Sequence, residues 1–200
     1  MKNHGLKNPE GSDIMDDKKK TGEYGMLLDR FYPDEDVDSV YEINFQERKQ
    51  QGVAGILFDV DNTLVPHGFP ADERAKELFA ELKALGIQVV FLSNNKEPRV
   101  KMFRDGVGYG SYIFKAGKPN PRNYIKAMEN MGLERPQMLF IGDQLFTDVW
   151  GAKRAGIHTI LVKPIHPKEE IQIVLKRRLE AVVLFFYRRK KKKEGRHERD

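Results

Sequence analysis

The 200-residue chain has no cysteine, one tryptophan and no long apolar stretch. Without cysteine it has no disulfide, no thiolate metal site and no cysteine nucleophile, which agrees with a cytoplasmic location. Residues Met1 to Lys20 are polar and of mixed charge, and they lack the apolar region of a secretion signal. The longest candidate for a membrane span, Ala181 to Tyr187, has seven residues. A span needs about 18 or more, so we expect a protein that does not cross a bilayer.

Acidic and basic residues balance over most of the chain and separate only at its C-terminal end. The net charge is +5, and residues 188–200 hold eight Lys or Arg against three Asp or Glu, so this segment accounts for the whole excess. The length and a hydrophobic content of 40% predict one domain with flexible ends. We predict a disordered segment over 1–22, one domain over 23–187 with its core at 53–163 and a C-terminal helix at 168–187, and a basic disordered tail over 188–200.

From Val53 onward, short apolar runs alternate with amphipathic segments. This pattern predicts strands at Val53–Phe58, Ile87–Leu92, Tyr112–Phe114, Met138–Ile141 and Ile157–Val162. It predicts helices near Ala71–Leu85, Glu97–Arg104, Pro121–Met131 and Phe146–Ala155. Apolar strands joined by helices are typical of a parallel sheet that is buried on both faces. The predicted fold class is α/β, a three-layer Rossmann-like open parallel sheet with helices on both faces.

Two carboxylates follow directly after the first predicted strand. Asp59 and Asp61 alternate with Val60, so both side chains leave the strand on the same side. A calcium loop would need glycine at its sixth position and glutamate at its twelfth, where this chain has Leu64 and Pro70. The pair is more typical of a nucleophile with an acid/base partner, because a carboxylate can attack phosphorus while a second one moves the proton.

Polar residues also follow the later predicted strands, at the edge where an open parallel sheet binds its ligands. They are Ser93-Asn94-Asn95, then Lys118-Pro119, then Gly142-Asp143 with Asp148. Each alone has an ordinary explanation: a serine often caps a helix, a lysine is usually solvated, and Gly-Asp often forms a turn. Their occurrence in this order at successive strand ends favours one shared site.

Together these motifs resemble the haloacid dehalogenase (HAD) superfamily. The resemblance covers about Val53 to Val162 and rests on Asp59-Val60-Asp61-Asn62-Thr63, Ser93-Asn94, Lys118 and Gly142-Asp143 to Asp148. Within the superfamily the chain is similar to the YqeG-type group of subfamily IIIA phosphatases. That group is in turn similar to the phosphatidylglycerophosphate phosphatases of mitochondria and plastids.

The resemblance implies a role for each motif residue. Asp59 would be the nucleophile, Asp61 the acid and base, and Lys118 the ammonium that brings the anions together. Ser93 and the backbone N–H of Asn94 would bind phosphate.

The resemblance also implies Mg²⁺ as the cofactor. The ion would be held by Asp59, the backbone carbonyl of Asp61, and Asp143. Asp148 would orient Lys118 or a bound water.

Many members of this superfamily carry a cap domain that selects small substrates. Here the intervals from Asp61 to Ser93 and from Ser93 to Lys118 each hold about one helix and one strand, so we predict no large cap and an open site. An open site suits phosphate on a large carrier, and phosphatidylglycerophosphate is the leading substrate. Alternatives are a soluble phosphatase for nucleotide, sugar or protein phosphates, and a binding or assembly module with a vestigial site whose tail contacts RNA.

The C-terminal segment bears on the predicted partners. From Lys168 to Tyr187 apolar residues recur at helical spacing, and the basic run Arg188 to Lys193 follows. This pattern resembles an interfacial anchor for an anionic membrane, although a helix that only covers the sheet would look similar. We therefore expect a cytoplasmic protein, peripheral on the inner face of the membrane. Nucleic acid is not expected as a partner, because no aromatic residue beyond Tyr187 is interleaved with the basic ones.

Overall fold

A computed structural model describes residues 28–166 and 180–191. Its centre is a six-stranded, wholly parallel sheet with the order β1-β6-β5-β2-β3-β4. The strands are β1 (Glu35–Val37), β2 (Gly55–Phe58), β3 (Gln88–Leu92), β4 (Ser111–Ile113), β5 (Met138–Gly142) and β6 (His158–Val162). Because β2 lies between β3 and β5, the loops after these three strands meet at one edge of the sheet.

Helices cover both faces of the sheet. They are α1 (Phe45–Gln50), α2 (Glu73–Ala84), α3 (Glu97–Val107), α4 (Arg122–Met131), α5 (Trp150–Ala155) and α6, which comprises residues 180–191. Alternation along β2 separates two cores. Phe58 packs with apolar residues of α1, α2 and α3, whereas Leu57 packs with those of α4 and α5. The predicted three-layer arrangement is confirmed.

Aromatic rings build much of the first of these cores. Phe79 of α2 contacts Phe58, Phe91 and Phe103 edge-to-face, with ring centroids 5.0 to 6.2 Å apart. This geometry places the positive ring edge against the negative face of the neighbouring ring, which adds to the stabilisation by burial. The tight packing holds β2 and β3 in fixed positions, and both strands end at the candidate site.

The five predicted strands and four predicted helices are present, with ends that differ from the predicted ones by a few residues at most. Two differences matter for the site. The last predicted helix begins as a π-helical turn, Leu145–Val149, before it continues as α5. The strand β1 was not predicted; it pairs with β6 at the edge of the sheet.

The chain ends are described in part. The predicted segment 1–22 lies outside the described residues, as do 167–179 of the predicted C-terminal helix and 192–200 of the predicted tail. The described part of that helix, α6, runs to residue 191, four residues into the segment predicted as a tail. None of the helices in the described parts of the chain combines the length and apolar character that crossing a membrane requires.

Candidate active site

Four side chains predicted for the site meet at the carboxyl ends of the central strands. Asp59 follows β2, Lys118 follows β4, Asp143 follows β5, and Asp148 lies in the π-helical turn. Each side chain belongs to a residue that is at most 8% exposed. Lys118 Nζ donates to Asp59 Oδ1 at 2.5 Å and to Asp148 Oδ1 at 2.7 Å. One ammonium therefore bridges two buried carboxylates that are 89 positions apart in the chain.

The buried charges shift each other's ionisation. Burial raises the pKa of Asp59 to about 7, even though the Lys118 ammonium opposes this change, and the nearby Asp148 carboxylate adds to it. Burial would lower the pKa of Lys118, but the carboxylates of Asp148 and Asp59 outweigh that effect and raise it. Lys118 is therefore a fixed positive charge in a site that has more carboxylates than cations.

The carboxylates are close enough to share a cation. Oxygen atoms of Asp59, Asp143 and Asp148 lie within 4.8 Å of one another. Thr63 Oγ1 lies 3.4 Å from Asp59 Oδ2 and 3.4 Å from Asp143 Oδ1, so its hydroxyl can donate to either. Carboxylate oxygens are ligands that Mg²⁺ prefers, and three buried carboxylates meet here, with the ammonium of Lys118 paired to two of them. The residues fit a divalent cation.

Asp61 lies beside this cluster and has its own set of donors. Its Oδ1 accepts from the backbone N–H of Gly68 at 2.8 Å and from Arg99 Nη2 at 2.8 Å and Nε at 3.1 Å. Its Oδ2 accepts from Asn95 Nδ2 at 2.7 Å. The Asp61 carboxylate is therefore held in one orientation by donors from both sides.

The loop after β3 brings Ser93 and Asn94 to the same edge. Ser93 is buried, and its Oγ accepts from the backbone N–H of Asn95 at 3.2 Å. The Asn94 side chain holds the backbone of Lys118: its Oδ1 accepts from Lys118 N at 2.8 Å, and its Nδ2 donates to Lys118 O at 3.2 Å. Asn94, which is predicted to bind phosphate through its backbone N–H, thus also holds the backbone of Lys118 in position.

The loop after β5 depends on a glycine. A Cβ atom at Gly142 would lie 2.5 Å from Asp148 Oδ2, so only glycine lets this carboxylate approach the strand end. Asp148 Oδ2 also accepts from the backbone N–H of Gln144 at 3.1 Å. On the other side of the turn, the Tyr124 hydroxyl donates to the carbonyl of Thr147 at 2.8 Å. The π-helical turn is thus held by a hydrogen bond within it and by another from α4.

Sequence reasoning brought together the residues that follow the strands but missed three of their neighbours. Three residues to which the sequence motifs assign no role contact the carboxylates of the site: Thr63, Asn95 and Arg99. Thr63 and Asn95 belong to the motifs themselves, Asp59 to Thr63 and Ser93 to Asn95, and this position was the available signal. Arg99 lies on the first turn of α3 and carries no local signal, because its partner Asp61 is 38 residues away.

Comparisons with known proteins agree on one family. A model of haloacid dehalogenase-like hydrolases matches residues 66–156. The chain is 42% identical over 156 residues to the probable phosphatase YqeG of Bacillus subtilis strain 168, covering 78% of this chain and 90% of that protein. It is 27% identical over 159 residues to the chloroplastic/mitochondrial phosphatidylglycerophosphate phosphatase 1 of Arabidopsis thaliana, covering 74% of this chain. This chain spans only 45% of the length of that relative.

Solved structures also match parts of this chain at low identity. The cobalt-bound deoxy-D-mannose-octulosonate 8-phosphate phosphatase of Haemophilus influenzae is 15% identical, with a TM-score of 0.45, and the match covers 70% of this chain and 91% of that one. Family assignment rests on the sequence relatives.

Proposed function

The chain belongs to the haloacid dehalogenase-like hydrolases and is one of the phosphatases of that family, and we propose that it hydrolyses phosphomonoesters with Asp59 as the nucleophile and Mg²⁺ as the cofactor. The observation that carries this proposal is the setting of Asp59. Its buried carboxylate is held by Lys118 at 2.5 Å, among further carboxylates that can share a cation. Such a setting supports the proposal because it would hold the attacking carboxylate in one orientation.

The proposed reaction has two steps. In the first, a carboxylate oxygen of Asp59 forms a bond to phosphorus, the bond from phosphorus to the leaving oxygen breaks, and Asp61 protonates that oxygen. In the second, Asp61 takes a proton from water as the water oxygen attacks the phosphorus of the aspartyl-phosphate. This step releases inorganic phosphate and restores the Asp59 carboxylate. Arg99 and Asn95 keep Asp61 in position for both transfers.

The remaining residues bind phosphate and metal. The Ser93 hydroxyl and the backbone N–H of Asn94 would donate to phosphate oxygens. Asp59, Asp143 and the backbone carbonyl of Asp61 would hold Mg²⁺. Bound there, the ion offsets the negative charge of the carboxylates and of the transferred phosphoryl group. Because Lys118 occupies Asp148 Oδ1, Asp148 serves to orient that lysine.

We further propose phosphatidylglycerophosphate as the substrate. Two relatives are named as phosphatidylglycerophosphate phosphatases, at 27% and 26% identity. The segment from Asp61 to Ser93 holds α2 and β3, and the segment from Ser93 to Lys118 holds α3 and β4, so neither interval contains a cap domain. A phosphate on a lipid headgroup can therefore approach the strand ends from outside.

The test measures inorganic phosphate released from phosphatidylglycerophosphate in mixed micelles with Mg²⁺, beside p-nitrophenyl phosphate and a panel of soluble phosphate esters. Asp59→Asn removes the nucleophile with little change of shape, and we expect it to abolish turnover of every substrate. Asp105→Asn, an exposed aspartate on α3, is the matched control and should behave as the wild type. Turnover in Asp59→Asn would refute the mechanism. Release from soluble esters alone would refute only the lipid substrate.

A further inference from the structure

The two sides of α6 differ in a way that the fold alone does not require. Val183 and Tyr187 are buried in a cluster with Tyr32, Leu145 and Leu161. On the opposite side, Val182, Phe185 and Phe186 are 54%, 59% and 43% exposed. A helix that only covers the edge of the sheet would present polar residues there.

The exposed residues of α6 form one patch. The rings of Phe185 and Phe186 contact each other with centroids 5.5 Å apart, and Val182 lies about one helical turn from both. Elsewhere in the described residues, the large apolar side chains that are similarly exposed are Phe69, Met102, Phe114 and Ile165, which are spread over the chain. Single exposed apolar residues are ordinary, but a contiguous group indicates a binding surface.

Basic residues at the end of α6 fall into two groups. Lys190 and Lys191 point back to the body of the protein, where they pair with Asp29 at 2.6 Å and Asp36 at 3.2 Å. Arg188 and Arg189 are exposed and form no ion pair with any described residue. Arg189 lies about one helical turn from Phe185 and Phe186, so its positive charge lies on the outer side of the helix, beside the apolar patch. Arg188 lies on the side of the helix that lines a cavity.

The same helix borders the candidate active site. Ala181, Leu184 and Arg188 line a cavity of about 190 Å³, and Asp143 lies in the wall of that cavity. Glu180 accepts a hydrogen bond from the backbone N–H of Phe146, in the loop that carries Asp143 and Asp148, at 3.3 Å. A surface bound to the outer side of α6 would thus lie next to the cavity that contains Asp143.

We infer that Val182, Phe185, Phe186 and Arg189 form a docking surface for an anionic lipid bilayer, which brings the active site to the lipid headgroups. Phenylalanine rings that enter the headgroup region, next to arginines that meet anionic lipid, are the pattern of a helix lying in a membrane interface. A second copy of the chain on this surface would bring the positively charged Arg189 of two protomers together, which disfavours it as the occupant. This inference deepens the proposed function and rests on it for the orientation of the site.

The experiment measures sedimentation of the full-length protein with vesicles of phosphatidylglycerol and phosphatidylcholine, and with vesicles of phosphatidylcholine alone. We expect binding to the anionic vesicles, weakened by salt. Phe185→Ser/Phe186→Ser and Arg189→Glu should each lower the partition coefficient by about tenfold or more. Met102→Ser is the matched apolar control, and Lys126→Glu on α4 is the matched charge control. Both controls should bind as the wild type does.

Turnover of p-nitrophenyl phosphate, measured on the same proteins, separates docking from chemistry. The variants on α6 should keep this soluble activity, because they lie outside the cluster around Asp59. Wild-type protein that ignores anionic vesicles would overturn the docking surface, as would a dimer or an RNA complex that depends on Phe185 and Phe186. An inactive wild type that still sediments through these residues would overturn the proposed function and support the docking surface.

Discussion

Arg99 holds Asp61 through two hydrogen bonds to the same carboxylate oxygen, from Nη2 at 2.8 Å and from Nε at 3.1 Å. The backbone N–H of Gly68 donates to that oxygen as well, at 2.8 Å. The other oxygen, Oδ2, has a single donor in Asn95. Oδ1 is thus fully occupied, so proton transfer by Asp61 would run through Oδ2.

Replacing Arg99 tests this arrangement. We expect Arg99→Met to lower kcat by about 10- to 100-fold, because Asp61 loses the donors that orient it, while KM changes little. Arg99→Lys should recover part of the loss, since its ammonium supplies the charge but not the rigid pair of donors that the guanidinium offers. Steady-state kinetics on p-nitrophenyl phosphate would measure both effects, and thermal unfolding would check the fold. A kcat of wild-type size in Arg99→Met would refute the role of Arg99.

Lys118 should matter for stability as well as for activity. In Lys118→Met, Asp59 and Asp148 lose the ammonium that they share, and we expect turnover to be lost and the free energy of unfolding to fall by about 3 kcal/mol or more. Urea unfolding would measure the change. In Lys118→Met/Asp148→Asn the loss should be smaller than the sum of the two single losses, because the second substitution removes an unpaired charge. Additive losses would contradict a direct interaction.

Gly142 is the position where a single methyl group should disturb the site. In Gly142→Ala the new Cβ would lie 2.5 Å from Asp148 Oδ2 and 2.7 Å from its Cγ, so Asp148 must leave the position in which it accepts from Lys118. We expect a destabilisation of about 1 to 3 kcal/mol and a marked drop in kcat. Urea unfolding and phosphate release measure the two effects. Wild-type values for both would show that the loop adjusts without displacing Asp148.

Asp34 should make the stability depend on pH. Burial opposes its ionisation, but hydrogen bonds from Thr159 and Lys153 outweigh burial and hold the pKa of Asp34 below its usual value. Because the folded-state pKa is lowered, this stabilisation is present above the unfolded pKa and is lost as the pH falls through the folded value. Because Asp34 is exposed and water screens its charge, Asp34→Asn should destabilise the protein by about 1 kcal/mol or less near pH 7.

The difference between the wild type and Asp34→Asn should shrink below a pH of about 4, where the unfolded carboxyl takes up its proton. Thermal unfolding of both proteins, measured from neutral to acidic pH, would follow this difference in stability. A difference that stays constant over this range would show that the charge of Asp34 contributes nothing.

Local patterns were sufficient to predict the main elements and the residues at the strand ends. The strands β2, β3, β5 and β6 are four or five residues long and mainly apolar, which is a strong signal. The strand β1 gives no such signal, because it has three residues and two of them are acidic. It is a strand only because β6 offers it a partner, and β6 is more than 100 residues further along the chain.

The grouping of the candidate site residues was predictable where those residues follow strands. Asp59, Lys118 and Asp143 follow strands, so the topology of a parallel sheet brings them together. The partners of Asp61 could not be found in this way, since Arg99 reaches it from the first turn of a helix. Such a contact depends on the direction in which the side chain points, and sequence spacing alone does not predict that direction. The dual role of Asn94, which clamps the Lys118 backbone, is equally a product of tertiary structure.

The strand β1 also determines where the protein can be shortened. It covers the outer hydrogen-bonding edge of β6, and its acidic residues are anchored: Glu35 pairs with Arg48 and His158, and Asp36 pairs with Lys191. A fragment that begins at Val53 would keep every residue of the candidate site but would leave the apolar strand β6 with an open edge. Exposed edges of this kind recruit strands from other molecules, so such a fragment should aggregate at concentrations where the whole chain stays dispersed.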